Sequence, residues 1–192
     1  MSESIRDKLT LTRQINLLES KRTGWILNLL SVPIAIAFYY VFNKFFQILE
    51  DVFELRTEES IVSFILLGVS FFAIIFAHEA IHGLFFKLFN PDGKVKYGFT
   101  NGMAYATSPN SLYTKYQFSV IVLAPFVIIT TLILLVALSG VVPYSHFIIL
   151  ASFHAGACVG DFYYIYLLIQ SPKQTWVEDT EVGINLYLKD RS

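Results

Sequence analysis

His78, Glu79 and His82 form the pattern His-Glu-x-x-His inside a long apolar stretch of the chain. In an α-helix, residues four positions apart project from the same face, so the two imidazoles can bind one metal ion. Glu79 lies about 100° around the helix from His78, beside such a metal rather than bound to it. From there its carboxylate can take a proton from a metal-bound water, whose pKa falls to about 7 on zinc. The pattern therefore predicts a zinc site of the hydrolytic type, with Glu79 as the catalytic base.

A hydrolytic zinc site takes a third protein ligand and leaves the fourth position to water. Asp161 is the best candidate, because it and Glu79 are the only acidic residues within the apolar stretches, where an ionisable group is costly. His78 and Asp161 each lie nine residues before the polar end of a stretch, which places both about 13 Å from the same membrane surface in helices. We predict Asp161 as the third ligand. The alternative is a carboxylate that caps a kink or pairs with a lysine at a helix end.

The residues before Asp161 also carry groups that could take part in chemistry. In a continuous helix, His154, Cys158 and Asp161 fall on one face. Gly156 and Gly160 would let a neighbouring membrane helix approach closely. We predict that His154 hydrogen-bonds the substrate carbonyl or the developing oxyanion, as a second catalytic residue; the alternative partner is a neighbouring hydroxyl or backbone carbonyl. Cys158 is expected to pack between helices, with a supporting role behind the metal ligands as the alternative.

Three acidic residues of the C-terminal tail are rival metal ligands: Glu178, Asp179 and Glu181. They could reach the site only if the tail folds back onto the helices. Because they lie in a polar segment beyond the last apolar stretch, we expect them to be solvated instead.

The apolar stretches that carry these residues indicate the fold class. Of 192 residues, 55% are hydrophobic and only 15% are charged, whereas a soluble domain has about 25% charged residues. A membrane helix needs about 20 apolar residues, and the gaps between charged residues hold four such helices, at about residues 25–42, 61–86, 117–139 and 145–169. We predict an all-α integral membrane protein with four transmembrane helices in a single membrane domain, residues 1–192, and with cytoplasmic tails at 1–24 and 170–192.

The distribution of lysine and arginine predicts the orientation of these helices. Five lie in the N-terminal tail, four in the second loop and three in the C-terminal tail, whereas the first loop has two and the third has none. Since cytoplasmic loops are enriched in Lys and Arg, we expect both termini on the cytoplasmic side of the cell membrane. The net charge of −1 gives no field that favours nucleic acid, and the single cysteine excludes an intrachain disulfide framework. The lipid bilayer is the expected partner of the apolar surface.

The loop after the second apolar stretch contains a β-hairpin signal at residues 94–107. Asn101-Gly102 suits a two-residue turn and has β-compatible residues on both sides, so Thr100 should pair with Met103. A peptide bond in an intact helix is hard to attack, and an exposed hairpin edge could hold a substrate extended by β-augmentation. We predict a small cytoplasmic hairpin between helices 2 and 3 that binds a membrane-protein or peptide substrate. The alternative is a hairpin that only closes the loop.

Four features in combination resemble a known family. They are His-Glu-Ala-Ile-His-Gly at 78–83, the hairpin, Leu-Ala-Pro at 123–125 and Gly160-Asp161 on the last apolar stretch. Together they resemble the bacterial zincin-like membrane peptidases, which look related to site-2 proteases, enzymes that cleave membrane-embedded substrates. The resemblance covers roughly residues 60–182. Where site-2 proteases place an Asn and prolines ahead of an Asp-Gly pair, this chain has His154 and Asp161-Phe162.

The resemblance implies an intramembrane zinc metalloendopeptidase that hydrolyses peptide bonds of membrane-associated substrates. It implies that His78, His82 and Asp161 bind Zn²⁺ and that Glu79 activates the zinc-bound water. Two alternatives come from other classes: a non-hydrolytic metal-binding sensor or carrier, and a membrane assembly or partner protein. Glu79 argues against the sensor or carrier, because a site that only binds metal does not need that acid.

Overall fold

The computed structural model describes residues 6–17, 20–53, 60–100, 103–180 and 182–189. These residues form mainly helices, with a smaller antiparallel strand region. In chain order the elements are β1 (Leu9–Asn16), α1 (Lys21–Phe53), α2 (Ile61–Phe89), β2 (Lys96–Thr100), β3 (Met103–Thr107), β4 (Ser111–Thr114), α3 (Lys115–Leu138), α4 (Tyr144–Ala157), α5 (Val159–Gln170), β5 (Trp176–Thr180) and β6 (Gly183–Lys189).

Three of the described helices, α1, α2 and α3, are long and apolar enough to cross a membrane, judged by length and composition. The predicted stretches at 61–86 and 117–139 match α2 and α3 to within three residues at each end. Helix α1 continues past its predicted end at residue 42. Its polar end stays helical, and there the amide of Gln47 donates a 2.8 Å hydrogen bond to the side chain of Asn43, an i, i+4 pair that suits a helix.

The fourth predicted span is two helices rather than one. Helices α4 and α5 are bent by 53° at Cys158, and they make a fourth membrane span only if the bent pair is counted as one. The ψ angle of Cys158 is 10°, far from the helical value of about −42°. The prediction that His154, Cys158 and Asp161 share one face of a continuous helix is therefore wrong, because His154 lies on α4 and Asp161 on α5.

The two tails contribute three strands, β1, β5 and β6, to a four-stranded antiparallel sheet in the order β1-β6-β5-β4, and β4 comes from the segment between α2 and α3. The prediction of an all-α chain with polar tails is wrong on this point. Strand β1 pairs with β6 from Leu9 opposite Lys189 to Asn16 opposite Gly183. The physical reason is visible in the alternation of β6, where Ile184 and Leu186 are buried and the residues between and after them are more exposed. A strand that buries one face has this period of two.

The predicted hairpin is present. Strands β2 and β3 form a separate two-stranded antiparallel sheet from Lys96 opposite Thr107 to Thr100 opposite Met103, so the predicted register is confirmed. The turn residues 101 and 102 lie outside the described residues.

The chain divides into two compact units. The first comprises residues 1–26, 79–124 and 161–192, and the second comprises residues 27–78 and 125–160. The core of the first unit combines residues of the sheet with residues of α2, α3 and α5: Ile15, Phe86, Tyr113, Phe118, Ile121, Val122, Leu167, Leu168, Val177, Ile184 and Leu186. The core of the second unit is formed by Phe46, Ala137, Phe147, Ile148 and Ala151.

Gly156 explains how α4 packs against α1 in the second unit. A Cβ atom on this glycine would lie 2.8 Å from the carbonyl oxygen of Ser31 and 2.9 Å from the Cβ of Ala35. The absence of a side chain therefore allows the close helix approach that small residues permit in membrane proteins. This contact holds the helix that carries His154.

Candidate metal centre

In the first unit, His82 and Asp161 form a close pair. The Nε2 atom of His82 lies 3.4 Å from Oδ1 of Asp161, and the two side chains are only 10% and 13% exposed. The other ring nitrogen of His82, Nδ1, lies 3.0 Å from the carbonyl oxygen of Ile121. A carbonyl oxygen can only accept, so Nδ1 carries the hydrogen and the neutral ring has its lone pair on Nε2. In the neutral ring, the nitrogen that can bind a metal is therefore Nε2, the atom that faces Asp161.

This arrangement fits a zinc ion. Metal-binding histidines usually donate their second ring N–H to a carbonyl or carboxylate, as His82 does to Ile121. Zinc binds histidine nitrogen and carboxylate oxygen at about 2.0–2.2 Å, so two such donors on a tetrahedral ion lie about 3.4 Å apart. The observed separation between His82 and Asp161 is 3.4 Å. The donor types and their spacing both suit the metal.

Glu79 belongs to the same unit and lies on α2, three residues before His82. It is partly buried, and both it and Asp161 interact electrostatically with His82. Two carboxylates beside one imidazole create a negative environment that attracts a cation. The surroundings of Glu79 therefore suit an acid that acts next to a bound metal.

In the second unit, His78 lies one helical turn before His82 on the continuous helix α2, so both project from the same face. Its Nδ1 atom is 3.1 Å from Nε2 of His154, and the two rings meet edge to face. The Sγ atom of Cys158 lies 3.6 Å from the same nitrogen of His154 and 3.9 Å from Nδ1 of His78. The structure therefore brings His78, His154 and Cys158 together.

His154 is completely buried, and its ring stacks on that of Phe126 with ring centroids 6.3 Å apart. Its Nε2 atom faces another imidazole, that of His78. The role of His154 toward a substrate carbonyl stays a prediction. Cys158, expected to pack between helices, is likewise completely buried, and it also touches both histidines.

The hairpin contacts the helix that carries His82. A methyl group on Gly83, the residue after His82, would collide with the hydroxyl end of Tyr97 on β2. The glycine therefore leaves room for this tyrosine against α2. In the sequence, the signal for this contact is Gly83, the last residue of the motif at 78–83. No local pattern identifies Tyr97 as its partner.

Asp179 is buried on β5, which corrects the expectation that it is solvated. Its Oδ2 atom accepts hydrogen bonds from the Thr107 hydroxyl at 2.5 Å and from the Ser108 backbone N–H at 2.6 Å. Burial raises the pKa of the Asp179 carboxyl to about 7, although these two hydrogen bonds and the charge of His82 lower it in part. The carboxylate ties the end of β3 to the sheet.

Glu178 is also buried rather than solvated. It pairs with Arg6 and accepts hydrogen bonds from the Tyr187 hydroxyl at 2.6 Å and the Asn185 amide at 3.2 Å. These partners occupy both of its oxygens in a structural network. The third rival ligand, Glu181, lies outside the described residues.

Comparison with known families identifies a family for this chain. The family described as "putative zincin peptidase" matches residues 71–176, more than half of the chain. The match includes the HExxH residues, the hairpin and Asp161, and it falls inside the range of the resemblance expected from the sequence. No curated protein and no solved structure matches the chain. The chain belongs to the putative zincin peptidase family, and this membership suggests a metallopeptidase.

Proposed function

We propose that this protein is an intramembrane zinc metalloendopeptidase that cleaves membrane-associated substrates. His78, His82 and Asp161 would hold the metal. The observation that carries the proposal is His82, whose Nδ1 is fixed by the Ile121 carbonyl while its Nε2 faces Asp161. His78 adds a second imidazole one turn away on the same helical face. When bound, zinc supplies Lewis-acid activation of the peptide carbonyl and of a water molecule.

Glu79 is the proposed general base. Its carboxylate would accept a proton from the attacking water and then give that proton to the leaving amine. Its partial burial and its electrostatic interaction with His82 support this role. A carboxylate in an apolar helix needs such a function to offset the cost of its position.

The exposed surface of α2 supports a substrate within the bilayer. Large apolar side chains cover much of it, including Ile61, Phe72 and Phe76. Water would solvate such a surface poorly, whereas lipid tails solvate it well. We therefore propose that α2 spans the cell membrane and presents the HExxH residues to a membrane-protein or peptide substrate. The positive-inside distribution of Lys and Arg supports cytoplasmic termini.

The hairpin is the proposed substrate-binding element. Within the described residues it forms a sheet of only two strands, so each strand has an outer edge that no other described strand pairs with. An extended peptide can add to such an edge through backbone hydrogen bonds. Tyr97 packs at Gly83 and so holds β2 beside the helical turn that follows His82. A substrate on this edge would be extended close to the proposed metal ligands.

The substitution Glu79→Gln tests the proposed chemistry. Glutamine keeps the size of the side chain but cannot accept the proton, so cleavage of a co-expressed membrane substrate should fall at least about 10²-fold. Zinc content should persist, because Glu79 is not a proposed ligand. Undiminished cleavage in Glu79→Gln would require another base. A wild-type protein that binds zinc yet cleaves no member of a broad membrane-substrate panel would favour a sensor or carrier.

A further inference from the structure

A second group of metal donors lies in the second unit. Nδ1 of His78, Nε2 of His154 and Sγ of Cys158 all lie within 4.8 Å of one another. The three distances are 3.1 Å between the two nitrogens, 3.6 Å from Sγ to His154 and 3.9 Å from Sγ to His78. His154 and Cys158 are completely buried.

These distances match the edges of a tetrahedral metal site. With metal–nitrogen bonds of about 2.0–2.1 Å and metal–sulfur bonds of about 2.3 Å, two nitrogens lie about 3.4 Å apart and nitrogen and sulfur about 3.6 Å apart. Each observed distance agrees with its expected edge to about 0.3 Å. A hydrogen bond between the two histidines alone would not require the thiol to lie within reach of both rings.

We propose that His78, His154 and Cys158 bind a thiophilic divalent cation through these three atoms. Two imidazoles and a thiolate suit zinc and softer ions such as cadmium better than they suit magnesium or calcium. Binding converts the thiol to a thiolate, and its proton is released to solvent. The structure thus contains a nitrogen–sulfur donor set that shares only His78 with the proposed hydrolytic set and has a thiol in place of the carboxylate.

The two donor sets would compete for His78, a consequence that rests on the proposed function. A neutral imidazole has one lone pair and one N–H, so it can bind one metal at a time. A cation held through Nδ1 of His78 would therefore remove this histidine from the hydrolytic set. Excess thiophilic metal should then inhibit the peptidase.

Cadmium titration of the purified full chain in detergent tests the donor set directly. Cys158 is the single cysteine of the chain, so any ultraviolet thiolate-to-cadmium absorption must come from this residue. The band should saturate at about one cadmium ion per chain and should be absent in Cys158→Ser and Cys158→Ala. His154→Ala should weaken cadmium binding at least tenfold, whereas His146→Ala, which removes another buried histidine, should leave it unchanged.

His82→Ala separates this proposal from the proposed function. This variant loses a hydrolytic ligand but keeps all three members of the nitrogen–sulfur set, so its cadmium band should persist. Loss of the band in folded His82→Ala would mean that the thiolate joins the hydrolytic site, and the separate set would be disproved. A wild type with normal zinc content and cleavage but no cadmium band would overturn this inference alone. A wild type with the band but without cleavage would overturn only the proposed function.

Discussion

His82 and His78 occupy consecutive turns of α2, yet their rings have neighbours of different chemistry. The Nδ1 atom of His82 donates to a backbone carbonyl, and its Nε2 atom faces the carboxylate of Asp161. The Nδ1 atom of His78 faces the imidazole of His154 and the thiol of Cys158. The two histidines of one motif therefore have different neighbours. His82 faces a carboxylate oxygen, whereas His78 faces an imidazole nitrogen and a thiol sulfur.

The buried polar residues of the two units show a similar difference. Among the described residues, buried carboxylates occur in the first unit, at Glu178 and Asp179. The buried polar residues described in the second unit are Ser63, His146, Ser152 and His154. The HExxH spacing determines that two histidines share a helical face, but the donors that complete each set come from segments distant in sequence. If these sets bind metal, the preference of each would therefore depend on the packing around its histidine.

The largest effect should come from removing His82, the histidine that faces the carboxylate of Asp161. His82→Ala should lower zinc affinity more than about 100-fold, since the loss of groups that merely support a metal ligand already costs 10–100-fold. Metal analysis after dialysis against buffered zinc measures this change when His82→Ala is made in a Cys158→Ala background, so that the nitrogen–sulfur set cannot retain the zinc. His146→Ala removes a histidine that is equally buried, and it should keep full zinc content. Equal zinc loss in the two variants would show that general destabilisation, and not the loss of a metal ligand, lowers the zinc content.

The pH dependence of stability tests whether burial raises the pKa of Asp179, a buried carboxylate of the first unit. Burial raises its pKa to about 7 from a usual value near 3.8. Between these values the unfolded chain releases a proton that the folded chain retains, so the free energy of unfolding falls as pH rises, by at most about 1.4 kcal/mol per pH unit. Asp179→Asn should flatten this decline, because asparagine does not titrate. Thermal unfolding in detergent between about pH 4 and pH 8 measures the slope across this window.

The asparagine introduced by Asp179→Asn would still offer a side-chain oxygen to the Thr107 hydroxyl and the Ser108 N–H, so the variant should fold at all these pH values. Asp92→Asn replaces an exposed carboxylate and is the matched control, with a slope like that of the wild type. A slope unchanged in Asp179→Asn would show that other buried groups cause the pH dependence.

The smallest effect is expected at Gly83, the residue after His82, which contacts Tyr97 of the hairpin. Gly83→Ala would push aside the end of Tyr97, which is 59% exposed and free to move. Alanine also favours the helix by up to about 1 kcal/mol over glycine, so stability should change little. If the hairpin holds the substrate, KM should rise severalfold while kcat stays close to that of the wild type. Cleavage kinetics on a membrane substrate separate the two constants.

Tyr97→Ala is the matched variant, because it removes the same contact from the hairpin side. It should raise KM to a similar extent, and the double variant should be no worse than either single one. A change in kcat alone would indicate that the contact acts on the metal ligands and not on the substrate.

Local patterns predicted the parts of the fold that depend on local physics. The apolar stretches at 61–86 and 117–139 have the composition that a membrane requires, and they correspond to α2 and α3. The pairing of Thr100 with Met103 followed from turn chemistry that involves only neighbouring residues. Asp161 was selected because it is an acid within an apolar stretch at the same depth as His78, and it lies beside His82.

Other features depend on contacts between distant segments, which no local pattern contains. Strand β1 pairs with β6 across most of the chain, as Leu9 lies opposite Lys189. Asp179 can be buried because Thr107 and Ser108 donate hydrogen bonds to its oxygen. The prediction that it is solvated considered only its charge and was therefore wrong. The break at Cys158 has no proline to announce it. The prediction that His154 and Asp161 share a face assumed a straight helix, so it failed at this break.

The pairing of β1 with β6 has a consequence for biosynthesis. Strand β1 leaves the ribosome before the five described helices, whereas β6 follows all of them. Its partner strand is therefore missing while the helices are being made, and the sheet closes only after translation has passed the last of them. Contacts over such a sequence separation form slowly. Strand β6 would thus act as a checkpoint, since it completes the sheet only after these apolar helices have been synthesised.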